Sequence, residues 1–305
     1  VTAPATPTLS NLVTGAAVDQ VFFTSVTVTW GLPTPQAAGY LLQASTAADF
    51  SGTVSSSQTA ALALSTLTVS SPALERNTTY YFRVAGLNLA GVPHFGLAVL
   101  STATLYSAPG LGSPPISAAS STSVTGQWTA GSPANPAGTL YEAVASLTGD
   151  FSGGLNSSGT YGLSAAVAAL SPNTTYYLRA QAVNHNVVKS WTALGSTATL
   201  TADVPGPAAS AVYLSSIAVA WGDIAAQGYE VLASSTNFGA LTPGGDVISS
   251  VTWNGDLTGL VVWSPALAAN TTYYLKAAGI NHGSVRNWTA APATPTLSNL
   301  ATGPA

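Results

Sequence analysis

Asn77-Thr78-Thr79-Tyr80-Tyr81 returns as Asn173-Thr174-Thr175-Tyr176-Tyr177 and again as Asn270-Thr271-Thr272-Tyr273-Tyr274, at spacings of 96 and 97 residues. A five-residue identity at near-constant spacing divides the 305-residue chain into equivalent modules. The period exceeds the roughly 20–50 residues of a solenoid repeat and suits a small domain that buries its own core.

Upstream of each pentapeptide lies a run of alternating character: Val26-Thr27-Val28-Thr29-Trp30, Ser123-Val124-Thr125-Gly126-Gln127-Trp128 and Ile217-Ala218-Val219-Ala220-Trp221. Period two predicts half-buried strands, and Trp30, Trp128 and Trp221 are large enough to anchor three cores. Gly39-Tyr40, Leu140-Tyr141 and Gly228-Tyr229 open a further strand in each module. Downstream, the pentapeptide runs into Phe82-Arg83-Val84-Ala85, Leu178-Arg179-Ala180-Gln181 and Leu275-Lys276-Ala277-Ala278. Modules close on Ser101–Leu105, Ser196–Leu200 and the variant Ala293–Leu297. Helical periodicity is nearly absent. Many short strands at turn-separated spacing predict an all-β chain of antiparallel sandwiches.

Leu170 to Asn184, with its Leu, Pro, Asn, Thr, Tyr and alternating apolar residues, resembles the sixth-strand pattern of fibronectin type III domains. Trp128 and Tyr141 fall where that family places its core Trp and a Tyr on the third strand. The resemblance covers all three copies. It implies three tandem seven-stranded, immunoglobulin-like sandwiches, as in a bacterial extracellular repeat protein. It also implies that Tyr80, Tyr176 and Tyr273 are tyrosine-corner residues bonded back to nearby backbone, with Leu74, Leu170 and Leu267 packed beneath. The expected modules span 10–105, 106–200 and 201–297, flanked by a last strand at 1–9 and a linker at 298–305.

If Tyr176 and Leu178 face inward, the pleat turns Tyr177, Arg179 and Gln181 outward. Glu142 with Arg179 and Glu230 with Lys276 are then expected as cross-strand pairs, and Arg83 is expected to lack a partner. Ala3–Leu12 is identical to Ala291–Leu300. Because Trp191–Leu200 aligns with Trp288–Leu297, Val1–Leu9 reads as a last strand without its own module. Two expectations follow. The chain is a window of a longer repeat protein, or Thr2, Ala3, Pro4, Ala5, Thr6, Pro7, Thr8 and Leu9 complete a neighbouring subunit by β-addition. Both predict head-to-tail continuation, with copies of the chain itself as partners.

Six Lys or Arg and ten Asp or Glu make the chain 5% charged, with a net charge of −4. That excludes the basic field that nucleic acid or an anionic membrane requires. A neutral Ser/Thr/Ala surface points instead to faces covered in an assembly. Absence of Cys removes disulfide and thiolate chemistry, and no apolar run is long enough for a membrane helix.

His94, His185 and His282 occur one per module and read as loop residues, while Asp49 and Asp150 read as Asx turns supporting buried Phe side chains. No nucleophile elbow, phosphate loop or zinc motif is present. Neither enzymatic activity nor a cofactor is therefore expected. Asn77, Asn156, Asn173, Asn270 and Asn287 sit in Asn-X-Ser/Thr sequons, although the repeated Asn is better read as a turn residue. Trp191, Trp253, Trp263, Trp288, Tyr81, Tyr177 and Tyr274 are read first as residues that cover the sheet and fill intermodule contacts, with stacking on a glycan ligand or anchoring of an interface as the alternative. The function expected is an extracellular, cell-surface structural fibre. An adhesin or carbohydrate-binding stalk is the alternative, as are spacer modules of a secreted glycan-degrading enzyme.

Overall fold

A computed structural model describes residues 6–97, 99–186, 189–239 and 247–300. The first module holds β1 (Thr14–Val21), β2 (Val26–Gly31), β3 (Gly39–Ser45), β4 (Val54–Thr59), β5 (Thr66–Val69), β6 (Thr79–Leu87), β7 (Pro93–Phe95) and β8 (Leu100–Ala103). The second holds β9 (Gly110–Ala119), β10 (Val124–Thr129), β11 (Leu140–Ser146), β12 (Asn156–Thr160), β13 (Ser164–Val167), β14 (Thr175–Val183) and β15 (Lys189–Ala198). The third holds β16 (Ala208–Val212), β17 (Ile217–Ala220), β18 (Gly228–Ser234), β19 (Val247–Thr252), β20 (Gly259–Val262), β21 (Thr272–Ile280) and β22 (Arg286–Pro295).

In modules two and three the first, second and fifth strands form one antiparallel sheet, and the fourth, third, sixth and seventh form the other. This is the strand order of a fibronectin type III sandwich. Module one follows it with one difference. Its last strand is broken into β7 and β8, both paired with β6.

Alternation buries one face of each strand, as in the pattern of β2, where Val26, Val28 and Trp30 are buried and Thr27 and Thr29 half-buried. The three clusters so formed do not share residues. In each, the Trp ring leans on the Tyr of the third strand, with centroids 5.3 Å apart for Trp30–Tyr40, 6.1 Å for Trp128–Tyr141 and 4.9 Å for Trp221–Tyr229. Tilted aromatic pairs at this range add to area burial. Leu74, Leu170 and Leu267 are buried in the same clusters.

The cores are not filled identically. Leu178 pairs with Gly195 and Arg179 with Ala193, so Leu194 is the extra residue of a β-bulge, and it is buried. Opposite it, β10 carries Gly126, where a Cβ would come within 2.8 Å of Leu194 Cδ1. Modules one and three have Val28 and Val219 at that position, and module three has Ala291 in place of Leu194. A bulky residue on one sheet thus substitutes for one on the other.

Candidate functional site: the junctions between modules

The repeated pentapeptide is a turn built by side chains. Asn77, Asn173 and Asn270 have φ of 47°, 46° and 52°, a left-handed conformation that Asn tolerates better than most residues. The next Thr donates its hydroxyl to the carbonyl of the residue just before Asn, at Arg76, Pro172 and Ala269. The hydroxyls of Tyr80, Tyr176 and Tyr273 accept the N–H groups of Glu75, Ser171 and Ala268 at 2.9–3.0 Å. Thr104, Thr199 and Thr296 close the turn from the last strand. Each donates to the carbonyl of Glu75, Ser171 or Ala268 and accepts the N–H of Thr78, Thr174 or Thr271.

That turn forms one half of each junction. Between modules one and two, Asn77 Nδ2 donates to Thr139 Oγ1 at 3.2 Å, and Arg76 Nη1 to the Ala134 carbonyl at 3.4 Å. Between modules two and three, Asn173 Oδ1 accepts the His282 N–H at 2.8 Å. Both asparagines are buried, whereas Asn270, with no following module described against it, is exposed.

The other half is the loop after the sixth strand. Asn281 is 1% exposed. Its Nδ2 donates to the Ala198 and Thr199 carbonyls of the preceding module at 3.3 and 2.8 Å, and its Oδ1 accepts the Gly283 and Val285 N–H groups. Asn88 does the same in module one. It donates to the Pro7 and Thr8 carbonyls and accepts from Ala90 and Val92. Asn184, the equivalent in module two, is also buried and accepts the Asn186 N–H. The linkers carry no slack. Thr104 completes the turn of module one, and Tyr106 is already in the core of module two. Asn135 then exchanges two hydrogen bonds with the Ser107 backbone.

Thr6–Leu9 have no strand beside them among the described residues. They lie outside any strand, and Pro7 and Thr8 are held by Asn88 instead. In β22 the corresponding Thr294 pairs with Tyr273; no sixth strand faces Thr6 among the described residues. Thr2, Ala3, Pro4 and Ala5 lie outside the described residues.

The solution-facing side of the four-stranded sheet carries the cations, and here three expectations fail. Glu142 is opposite Gln181, not Arg179. Gln181 donates to it, and Lys189 forms its ion pair at 2.6 Å. Burial alone would raise the Glu142 pKa, but the hydrogen bonds from Lys189, Ser157 and Gln181 hold it below the ordinary carboxylate value. Glu230 is opposite Ala278 and pairs with Arg286 at 2.7 Å. Arg179 instead lies 4.4 Å from the Phe151 ring centroid, and Lys276 lies 4.1 Å from that of Phe238. Arg83 has partners after all. It donates twice to Gln43 Oε1 and is sandwiched between Phe50 and Phe95 at 3.9 and 4.0 Å.

The Phe residues beside Asp49 and Asp150 are thus half-buried covers of an outer face, not core residues. Both Asp side chains do accept the N–H two residues on, at Ser51 and Ser152. Hydrogen bonds from Thr148 and Ser152 hold the Asp150 pKa at about 2.

No family model matches the chain. No curated protein matches it. Among solved structures, the FN1-FN3 domains of chicken CNTN1 align with it at 14% identity over 93% of this chain and 96% of that one, with a TM-score of 0.28. The two-domain fibronectin type III segment of chicken tenascin aligns at 14% identity over 61% of this chain and 99% of that one, with a TM-score of 0.43. The fold assignment rests on strand order and register, not on these scores.

The remaining candidates are scattered. His185 and His282 are exposed, and His94 Nδ1 is 2.7 Å from the Ser10 carbonyl. No group of three potential metal ligands occurs among the described residues, and no helix there is long and apolar enough to cross a membrane. Asn156 donates to the Ala168 and Ala169 carbonyls, and Asn287 to Thr201 and Asp203. Trp191, Trp253, Trp263 and Trp288 are exposed, as are Tyr177 and Tyr274, while Tyr81 is half-buried. Asn88, Asn184 and Asn281 were the residues sequence reasoning did not single out. Their signal was available: they recur at the same 96- and 97-residue spacing as the pentapeptide.

Proposed function

We propose that this chain is a structural segment of an extracellular, cell-surface fibre, built from sandwich modules joined head to tail. One observation carries the reading. At both junctions the asparagine turn of one module bonds to the next module, Asn77 to Thr139 just before its third strand and Asn173 to His282 after its sixth. Neutral hydrogen bonds and direct core-to-core linkers make such a chain stiff, and a heterologous contact that does not close grows into a filament. The low charge of the surface fits faces that pack together. Purified native material is expected to form ordered fibres in electron micrographs; uniformly dispersed monomers at high concentration would overturn the reading. Of the sequon asparagines, Asn77 and Asn173 are buried against the next module.

A second reading is a carbohydrate-binding stalk. Its support is local to module three, where Trp253 and Trp263 are 62% and 63% exposed at positions held by Ala60 and Ser70 in module one. Exposed Trp faces suit sugar stacking. Binding on a glycan array should then fall at least tenfold in Trp253→Ala or Trp263→Ala, a loss of about 1.4 kcal/mol or more. Undiminished binding by both variants would remove this reading.

A further inference from the structure

Asn254 alone among the asparagines of the chain is followed by glycine, and the pair sits in the turn 253–258 between β19 and β20. The equivalent turns of modules one and two begin in the same way. Thr59, Thr160 and Thr252 each accept at Oγ1 the N–H two residues on, from Ala61, Gly162 and Asn254. Module three therefore places an asparagine where the other modules place Ala61 and Gly162. Packing then dictates the residue after it. A Cβ on Gly255 would collide with the Ala226 carbonyl, so contact with the segment before β18 requires the glycine. Asn-Gly suits a tight turn, but asparagine is also a chemically labile residue.

The turn favours one reaction. Asn254 Oδ1 accepts the Asp256 N–H at 3.0 Å, so the carboxamide arches over the intervening Gly255 peptide as an Asx turn. The ring closed by that bond contains Cγ, Cβ, Cα and the carbonyl carbon of Asn254 together with the Gly255 nitrogen, which are the five ring atoms of a succinimide. The donated hydrogen bond also polarises the side-chain carbonyl. Gly255 donates its own N–H to no acceptor among the described residues, which leaves that proton open to solvent base. Asn254 and Asp256 are exposed and Gly255 is half-buried, so water reaches the site. Asn156 shows the contrast. Its amide is tied to the Ala168 and Ala169 carbonyls, and the following Ser157 lies in the ladder between β11 and β12.

We propose that Asn254 is a site of spontaneous covalent modification, in which the Gly255 nitrogen displaces ammonia from the side chain. The bond from Gly255 N to Cγ forms as that nitrogen gives its proton to solvent. The Cγ–Nδ2 bond breaks as the amine takes up a proton and leaves as ammonia, and a succinimide remains. Water then opens the ring. Attack at Cγ leaves an aspartyl residue. Attack at the main-chain carbonyl carbon breaks its bond to Gly255 N and leaves an isoaspartyl residue, with the chain running through Cγ. One water is consumed and one ammonia released, with no oxidation or reduction. Either product sets a new carboxylate close to Asp256 on a chain that has ten acidic residues, and such a change of charge alters the local electrostatics. The isoaspartyl form also lengthens the backbone by a methylene next to the contact between Gly255 and Ala226. The turn thus gains charge with age, whether or not the chain assembles into fibres.

The test ages the folded 305-residue chain beside the same chain unfolded in guanidinium chloride, both in one mildly alkaline buffer at body temperature. Peptide mapping by mass spectrometry follows the exchange of NH2 for OH at each asparagine, and electron-transfer fragmentation separates isoaspartyl from aspartyl products. In the folded chain Asn254 should convert at least tenfold faster than Asn156 or any other asparagine, with isoaspartyl product present. Isoelectric focusing of the intact chain should show an acidic species growing at the same rate. Asn254→Gln keeps an amide but would have to close a larger ring, so it should form no such species. Its site is exposed, and its thermal unfolding should match the parent. If Asn254 stays intact in the folded chain over the time in which the unfolded chain converts, the turn protects the residue and the proposal falls. It falls equally if Asn254→Gln yields the same acidic species, or if the product is aspartyl alone, because direct hydrolysis of the amide bypasses the succinimide.

Discussion

Leu194→Ala is expected to destabilise module two by about 2–5 kcal/mol, and adding Gly126→Val should return most of that loss. Leu194 is the inward residue of the bulge in β15, buried at 4% exposure, so its truncation leaves a cavity facing Gly126. Module three already contains the proposed double combination, with Val219 and Ala291 at the equivalent positions. Gly126→Val alone should also destabilise, since even its Cβ would approach Leu194 Cδ1 to 2.8 Å. Urea unfolding of the parent, both single variants and the double variant closes the cycle. Additive losses in the double variant would show that the two positions do not share one space.

Asn281→Ala should cost about 2–4 kcal/mol, because it leaves buried carbonyls and amides on both sides of the second junction unpaired. Its effect is distinctive in being shared. The Ala198 and Thr199 carbonyls belong to module two and the Gly283 and Val285 amides to module three. The modules should therefore lose their fixed orientation as well as stability. Residual dipolar couplings read the first, and denaturant unfolding the second. Asn281→Asp retains the accepting half but turns a carboxylate toward two carbonyl oxygens. That environment raises the carboxyl pKa, so the loss should shrink as pH falls and the group is protonated. A variant that unfolds earlier yet keeps its intermodule orientation would show that Asn281 serves only its own loop.

Strand identity was legible because period-two alternation and threefold repetition reinforce each other. Trp30, Trp128 and Trp221 are buried where the alternating runs end, and the tyrosine hydroxyls find backbone N–H groups five residues upstream. Register was not legible. Glu142 faces Gln181 instead of Arg179 because β11 pairs two residues further along β14 than the sequence reading assumed. A slip of two preserves the inward and outward faces, so alternation cannot detect it.

The loop asparagines were missed for a different reason. An Asn after a strand reads as a turn residue, and the carbonyls that Asn281 and Asn88 bind lie 80 or more residues upstream. Thr6–Leu9 repeat the end of β22, but no strand lies beside them among the described residues, and Asn88 holds Pro7 and Thr8.

The absence of slack between modules has a consequence for how the chain bears tension. At the first junction, Leu105 gives its N–H to Phe22 and its carbonyl to Asn77, and the adjoining residue, Tyr106, is embedded in the next core. A pull along the chain passes from one sandwich to the next through a single peptide unit. No coil is there to uncoil first. The load falls on the hydrogen-bond ladder of the last strand itself, so this junction stays inextensible until a sandwich gives way.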